Sequence, residues 1–128
     1  MELKNRARIY RHSESKAVEL ITRILETKNV IRNKGVFDWL RGDTGRRLTV
    51  DAYFPDRKLV FEYQGIQHSK PSKLMDRRPG RPDQGRRYDD LRRRLAPEHG
   101  LQFLELHYDE PLEEHHLRGK LKDLGFQI

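Results

Sequence analysis

Residues 48–68 read LTVDAYFPDRKLVFEYQGIQH, and this stretch predicts an antiparallel hairpin. Residues 48–54 and 59–63 are rich in the β-branched and aromatic side chains that favour strands. Residues 55–58, Pro-Asp-Arg-Lys, form a strong turn signal between them. The chain should therefore reverse here and pair the two segments.

The length of the turn also predicts how the two strands pair. If Phe54 lies opposite Leu59, then Asp51 lies opposite Glu62, with Cβ atoms about 4.5–5.5 Å apart. Gln64 follows Glu62 by two residues and therefore shares its face of the strand. The other face then carries the apolar residues Val50, Ala52, Phe54, Leu59, Phe61 and Tyr63.

Two opposed carboxylates repel each other and raise a pKa unless a cation lies between them. Mg²⁺ prefers oxygen ligands and keeps several waters, which makes Asp51 and Glu62 candidate metal ligands. The alternative is an acidic surface pair diluted by the nearby Arg46, Arg47 and Arg57.

The residues after the second strand add a further candidate. Gly65 lets the chain leave the strand sharply, and His68 then follows just beyond the carboxylates. A histidine there could act as a general base on water or bind a phosphate oxygen. An ordinary surface histidine is the alternative.

Outside the hairpin, the sequence predicts three helices and two more strands. Apolar spacing predicts a first helix from Ser13 or Ser15 to about Lys28. The other predicted elements are a strand at 36–40, a turn at 41–45, an irregular loop at 69–85, a helix at 86–98 ending near Gly100, a strand at 101–107 and a helix at 112–124 closed by Gly125. This order indicates one α/β or α+β domain over residues 1–128, with a mixed sheet covered by helices.

Bulk composition narrows the class of protein. The chain has 128 residues, of which 34% are hydrophobic and 37% charged, enough for one modest core. No apolar run approaches the roughly 18 residues of a membrane span, and the polar start does not read as a signal peptide. Absence of cysteine excludes disulfides and thiolate zinc sites and fits a reducing compartment. We therefore expect a cytoplasmic protein with no membrane partner.

Positive charge is concentrated in one fifth of the chain. Residues 70–94 hold ten Lys/Arg and four Asp, so they carry +6 of the total net charge of +7. Such a segment is typical of a polyanion-binding surface, because each phosphate contact releases counterions. A solvated, solubilising loop is the alternative.

Taken together, Asp51, the Glu-Tyr-Gln of residues 62–64 and the Gly-Ile-Gln-His of residues 65–68 resemble the PD-(D/E)xK nuclease superfamily. Within it they are most similar to the branch of very short patch repair and phage homing endonucleases, with its E…D…x…H…D motif. Residues 88–92 (YDDLR) and 98–101 (EHGL) look like the last part of that motif. The resemblance spans about residues 13–108 and implies a restriction-endonuclease-like fold and DNA cleavage with Mg²⁺, for which Mn²⁺ can substitute.

The resemblance also implies roles for individual residues. Asp51 would be the principal metal ligand, with Glu62 and the Tyr63 carbonyl completing the protein ligands. His68 would be the base. Asp89, or Asp90 beside it, would orient that base or the substrate.

One position departs from the superfamily. Gln64 stands where most members have a catalytic lysine, and an amide can orient water but carries no charge. Arg92 or Arg93 could supply the missing positive charge to the scissile phosphate. The departure also supports the alternative of a DNA-binding module that has kept the fold and lost the reaction.

The helix glutamate of the motif has two candidates. Glu14 borders the apolar stripe of the first helix, whereas Glu19 lies nearly opposite it. We prefer Glu14, because only that edge of the helix can face a site on the sheet, although a solvent-facing carboxylate remains the alternative for either.

The partner expected from the resemblance and the charge is DNA. A structure-selective junction resolvase is a further alternative, and a homodimer or a separate specificity partner would fit so small a chain. Without cysteine the structural zinc site of mismatch-repair members is missing, so the mismatch substrate is not carried over. The candidate DNA-binding residues are Lys70, Lys73, Arg77, Arg78, Arg81, Arg86, Arg87, Arg92 and Arg93.

Overall fold

The computed structural model describes the backbone of residues 3–65 and 81–128 and the side chains of residues 11–65 and 84–128. Within these ranges three helices and four strands follow one another along the chain. They are α1 (Leu3–Leu25), β1 (Ile31–Lys34), β2 (Val50–Phe54), β3 (Leu59–Gln64), α2 (Arg81–Glu98), β4 (Gln102–His107) and α3 (Glu114–Asp123).

The four strands form one mixed sheet in the order β1-β2-β3-β4. β1 pairs antiparallel with β2, and β2 antiparallel with β3, whereas β3 and β4 are parallel. A parallel neighbour requires a crossover connection, and α2 lies in the connection between β3 and β4. The predicted α+β class with a mixed sheet and flanking helices is confirmed.

The register of the central hairpin is also as predicted. Phe54 pairs with Leu59 and Ala52 with Phe61 across a 3₁₀ turn at Pro55–Arg57. Lys58 closes this turn with a φ of 50°, in the left-handed region. The prediction that Val50 shares a sheet face with Ala52 and Phe54 was wrong, because Val50 packs in the cluster on the opposite face. Val50 lies beyond the last residue pair of β2 with β3, which is Ala52 with Phe61, so the alternation of that ladder does not extend to it.

Two apolar clusters, one on each face of the sheet, pack the sheet against the helices. The larger lies against α1 and α3 and contains residues such as Ile21, Phe61 and Leu117. The second lies on the opposite face, where Val60 and Ala96 pack with the segment 36–48 and with α2. Helices therefore cover both faces, and the hairpin β2–β3 lies in the middle.

The predicted strand at 36–40 is absent, because its aromatic residues stack instead of pairing. The rings of Phe37 and Trp39 lie 4.5 Å apart, and Trp39 stacks on His99 at 4.1 Å. The Leu40 N–H donates to the Phe37 carbonyl and closes a turn. The strand that pairs with β2 is instead β1, whose Ile-Arg-Asn-Lys sequence has none of the alternation that marks a strand.

Both long helices begin earlier than predicted. α1 starts at Leu3 instead of Ser13 or Ser15, because residues 3–12 contain good helix formers and no Pro or Gly to stop it. It ends at Leu25, since Glu26 adopts a φ of 52°. α2 begins at Arg81 instead of 86, with Pro82 in the first turn, where proline is tolerated. Residues 81–85 of the predicted loop are thus helical, and its remainder lies outside the described residues.

Among the helices that the structure describes, none combines the length and apolar character that crossing a bilayer demands.

Candidate active site

Three carboxylates meet where α1 faces the start of β2. Glu14 comes from α1, Asp51 is the second residue of β2, and Glu62 lies in the middle of β3. The Asp51 N–H donates to Glu62 Oε2 at 2.6 Å, and the Tyr63 N–H donates to Asp51 Oδ2 at 2.7 Å. Glu14 shares a hydrogen bond with the Asp51 side chain. Asp51 and Glu62 are thus in contact, as predicted, just beyond the last residue pair of the hairpin, Ala52 with Phe61.

Negative charge in this cluster exceeds what its neighbours neutralise. Burial and the Asp51 charge raise the pKa of Glu14 to about 7. Burial raises the pKa of Glu62 to about 8 with the Asp51 charge adding to it, although Arg92 opposes the rise. Glu14 Oε1 is buried with no hydrogen-bond partner among the described residues. Crowded carboxylate oxygens of this kind are the donor chemistry that a hard divalent cation prefers.

The described residues contain no group of three or more His, Asp or Glu side chains already arranged to hold a metal ion. Mg²⁺ does not require such a cage, because it is commonly bound through one or two carboxylates together with waters and substrate phosphate. Asp51 and Glu62 can supply these one or two carboxylate ligands, and Glu14 lies beside them.

Arg92 pairs with Glu62, and its guanidinium is held by three partners. Its Nε donates to the Thr49 carbonyl at 2.9 Å and lies 3.1 Å from Glu62 Oε1, while Nη1 lies 3.1 Å from Asp89 Oδ1. Its side chain is only 13% exposed. Asp89 therefore faces the cluster through Arg92, whereas Asp90 is 73% exposed.

A second chain of contacts, running from the buried Gln64 to the surface, fixes Gln64. Its amide Nε2 donates to Glu105 Oε2 at 3.2 Å, and Glu105 binds Arg93 through two hydrogen bonds of 2.5 and 2.8 Å. Asp90 binds the remaining edge of the Arg93 guanidinium. Since Glu62 and Glu105 are neighbours across β3 and β4, Arg92 and Arg93 each neutralise one of two adjacent carboxylates.

Sequence reasoning missed two residues of this site. Glu105 had a signal, because it is a charged residue between Leu104 and Leu106, the two buried leucines of the strand. Arg32 had none, since β1 itself was not predicted. Its Nε donates to the Asp51 carbonyl at 3.3 Å and its Nη2 lies 3.9 Å from Glu14 Oε2, with 31% of the side chain exposed.

The remaining predicted residues fall into three groups. Glu19 is 69% exposed and pairs with Arg23, so of the two helix glutamates Glu14 is the one at the cluster. Arg86 and Arg87 are exposed on α2, and Arg87 pairs with Asp43. Outside the described residues or side chains lie His68, Lys70, Lys73, Arg77, Arg78 and Arg81.

We expect the carboxylate cluster to make stability depend on pH. Because the pKa values of Glu14 and Glu62 are raised in the folded chain, their burial costs nothing below about pH 4.5. Stability should fall as pH rises from about 4.5 to about 7 to 8 and level off above, by several kcal/mol in total, since one pKa unit corresponds to about 1.4 kcal/mol. Urea unfolding at several pH values, in EDTA and in Mg²⁺, measures this, and Mg²⁺ should stabilise most at the alkaline end.

Two variants control the measurement. Glu14→Gln should remove part of the pH dependence, whereas Glu19→Gln changes an exposed carboxylate of the same helix and should leave it intact. A flat stability profile in EDTA, or equal Mg²⁺ stabilisation at both ends of the range, would contradict the assignment of an uncompensated acidic cluster.

Comparison of the chain with models of protein families, with curated proteins and with solved structures gave no match.

Proposed function

We propose that this chain is a metal-dependent endonuclease that hydrolyses phosphodiester bonds of DNA. The observation that carries the proposal is the cluster of Asp51 with the buried Glu14 and Glu62, in which two pKa values are raised and one oxygen has no partner among the described residues. It lies beside α2, whose Arg92 and Arg93 contact Glu62 and the neighbouring Glu105. Acidic ligands beside a basic surface suit a phosphodiester and its cation.

Asp51 and Glu62, with the Tyr63 carbonyl, would hold Mg²⁺ or Mn²⁺. The bound ion would polarise the phosphate and lower the pKa of a water. Glu14, with a pKa near 7 and an unpartnered Oε1, is suited to accept a proton from that water. His68, the base expected from the sequence, remains a second candidate for this step.

Two further residues of the chain have roles in this proposal. The Gln64 amide is held by Glu105 and would orient water without supplying charge. Positive charge toward the phosphate would come from Arg32, because its contacts are longer and its exposure is greater than those of Arg92. Arg92 and Arg93 are engaged by carboxylates and are better suited to hold the cluster together than to bind substrate.

The alternative is a DNA-binding module without catalysis. The contact between Arg92 and Glu62 favours it, since an internal guanidinium can neutralise the carboxylate that a metal would otherwise bind. For either function we propose the cytoplasm as the compartment, because the sequence contains no cysteine. A homodimer or a specificity partner would be compatible with both.

Plasmid nicking separates the two functions. Purified protein should convert supercoiled plasmid to the nicked form in Mg²⁺ or Mn²⁺ and stop when EDTA is added. Retarded migration of the plasmid without nicking in either metal would support the binding module and refute the nuclease. Linear duplex and four-way junction substrates belong in the same assay, because much faster cleavage of junctions would indicate a resolvase.

A further inference from the structure

The segment at residues 40–48 forms a small arginine-bearing hairpin that the site does not use, here called the arginine hairpin. Arg41 and Arg47 form an isolated antiparallel bridge, and the Leu48 N–H donates to the Leu40 carbonyl at 2.8 Å. Gly45 closes the turn with a φ of 83°, a conformation that glycine adopts without strain. Arg41, Arg46 and Arg47 are all exposed.

Contacts with α2 fix the position of the arginine hairpin. The Asp43 N–H donates to the Tyr88 hydroxyl at 2.8 Å, and Asp43 Oδ2 accepts from Arg87 at 2.8 Å and from Gln84 at 3.2 Å. These bonds lower the pKa of Asp43, first through Gln84 and then through Arg87. A Cβ on Gly42 would lie 2.8 Å from the Tyr88 hydroxyl, so the approach is as close as glycine allows.

Positive charge in the arginine hairpin is only partly neutralised. Asp38 pairs with both Arg41 and Arg47, and Asp43 is engaged by Arg87. Among the described residues, Arg46 has no acidic partner. An exposed, unpaired guanidinium on an anchored hairpin is suited to bind a phosphate, because this planar group can donate two charge-assisted hydrogen bonds to phosphate oxygens.

The α2 residues that contact the arginine hairpin lie one to two helical turns from Arg92, which contacts the carboxylate cluster. Its second leg continues through Thr49, which binds Arg92, into Asp51. Along α2, Tyr88 precedes Arg92 by one turn and Gln84 by two, which is about 6 to 12 Å at about 1.5 Å per residue. A DNA strand advances about 3.4 Å per nucleotide, so this offset corresponds to roughly two to four nucleotides.

We propose that the arginine hairpin binds the phosphate backbone of duplex DNA a few nucleotides from the phosphate at the carboxylate cluster, with Arg46 as its principal contact. The location relative to the cut rests on the proposed nuclease function, whereas the contact itself does not require cleavage. The hairpin thereby extends the DNA-binding surface from α2 to a segment whose sequence lies outside the most basic stretch.

Binding in EDTA tests the contact without cleavage. Fluorescence anisotropy of a labelled duplex should show Arg46→Gln binding about tenfold more weakly at low salt, the scale of one charge-assisted bond. The slope of log affinity against log salt should decrease by about 0.9, the value for one phosphate contact. Arg46→Lys should retain most of that slope, because lysine still binds phosphate as a point charge.

Arg23→Gln is the matched control, since it removes the same charge from an exposed position on α1, which lies on the other face of the sheet. Equal effects of Arg46→Gln and Arg23→Gln would overturn the proposal and indicate only net charge. So would a loss confined to one of two unrelated duplex sequences, because phosphate contacts carry no base information. If the parent protein binds DNA with the expected salt dependence but never nicks plasmid, the proposed nuclease function is refuted, whereas the proposed contact of the arginine hairpin with DNA is not.

Discussion

Asp51→Asn should reduce plasmid nicking by at least about a hundredfold in Mg²⁺ while leaving the fold intact. Asp51 is the residue on which the cluster converges, since it contacts Glu14 and accepts the Tyr63 N–H. Asparagine keeps the size and one acceptor oxygen, so that N–H can still be satisfied, but the charge that would hold a cation is gone. Losing several kcal/mol of the transition-state stabilisation that a bound metal supplies lowers the rate by a factor of roughly 10²–10³.

The measurement is the initial rate of nicking at saturating enzyme, with urea unfolding of the same preparations as the check on folding. Asp123→Asn is the matched control, because it makes the same substitution at an exposed residue at the end of α3. It should cut like the parent. Parental nicking by Asp51→Asn would remove this residue from the metal site and with it the proposed mechanism.

The central hairpin was predictable from sequence because its information is local. The Pro-Asp-Arg-Lys turn sets the loop length, the loop length sets the register, and this register brings Asp51 into contact with Glu62 just beyond the pair of Ala52 and Phe61. Glu14 was predictable for a similar reason, since its place at the edge of an apolar stripe depends only on helical period. In each case a few neighbouring residues determine the geometry.

The features that the sequence did not predict depend on contacts with residues that are distant in the chain. β1 is an edge strand with a polar sequence, and only its pairing with β2 makes it a strand, so Arg32 was missed with it. Phe37 and Trp39 have strand propensity, but stacking on each other and on His99, sixty residues after Trp39, keeps them in a turn. The contacts of Arg92 with Thr49 and Glu62 were not predicted, because both partners lie far away in the chain.

That internal role for Arg92 has an energetic consequence. Arg92→Met should destabilise the chain by about 2 kcal/mol near pH 6, where the bonds to Thr49 and Asp89 are lost. The loss should grow to about 3–5 kcal/mol near pH 9, the usual cost of removing one partner of a buried ion pair. The sign follows from Glu62: its pKa is already raised to about 8, Arg92 opposes the rise, and without Arg92 ionisation above that pH becomes more costly.

The double variant Arg92→Met/Glu62→Gln separates the two contributions. Glutamine does not ionise, so the double variant should keep the loss seen near pH 6 and show none of its growth toward pH 9. Urea unfolding of the parent, both single variants and the double variant across this range gives the coupling directly. If Arg92→Met lost the same stability at both ends of the range, Glu62 would not be the buried charge that Arg92 compensates. The contact would then give no reason to prefer a binding module over a nuclease, because the carboxylate would not depend on the guanidinium.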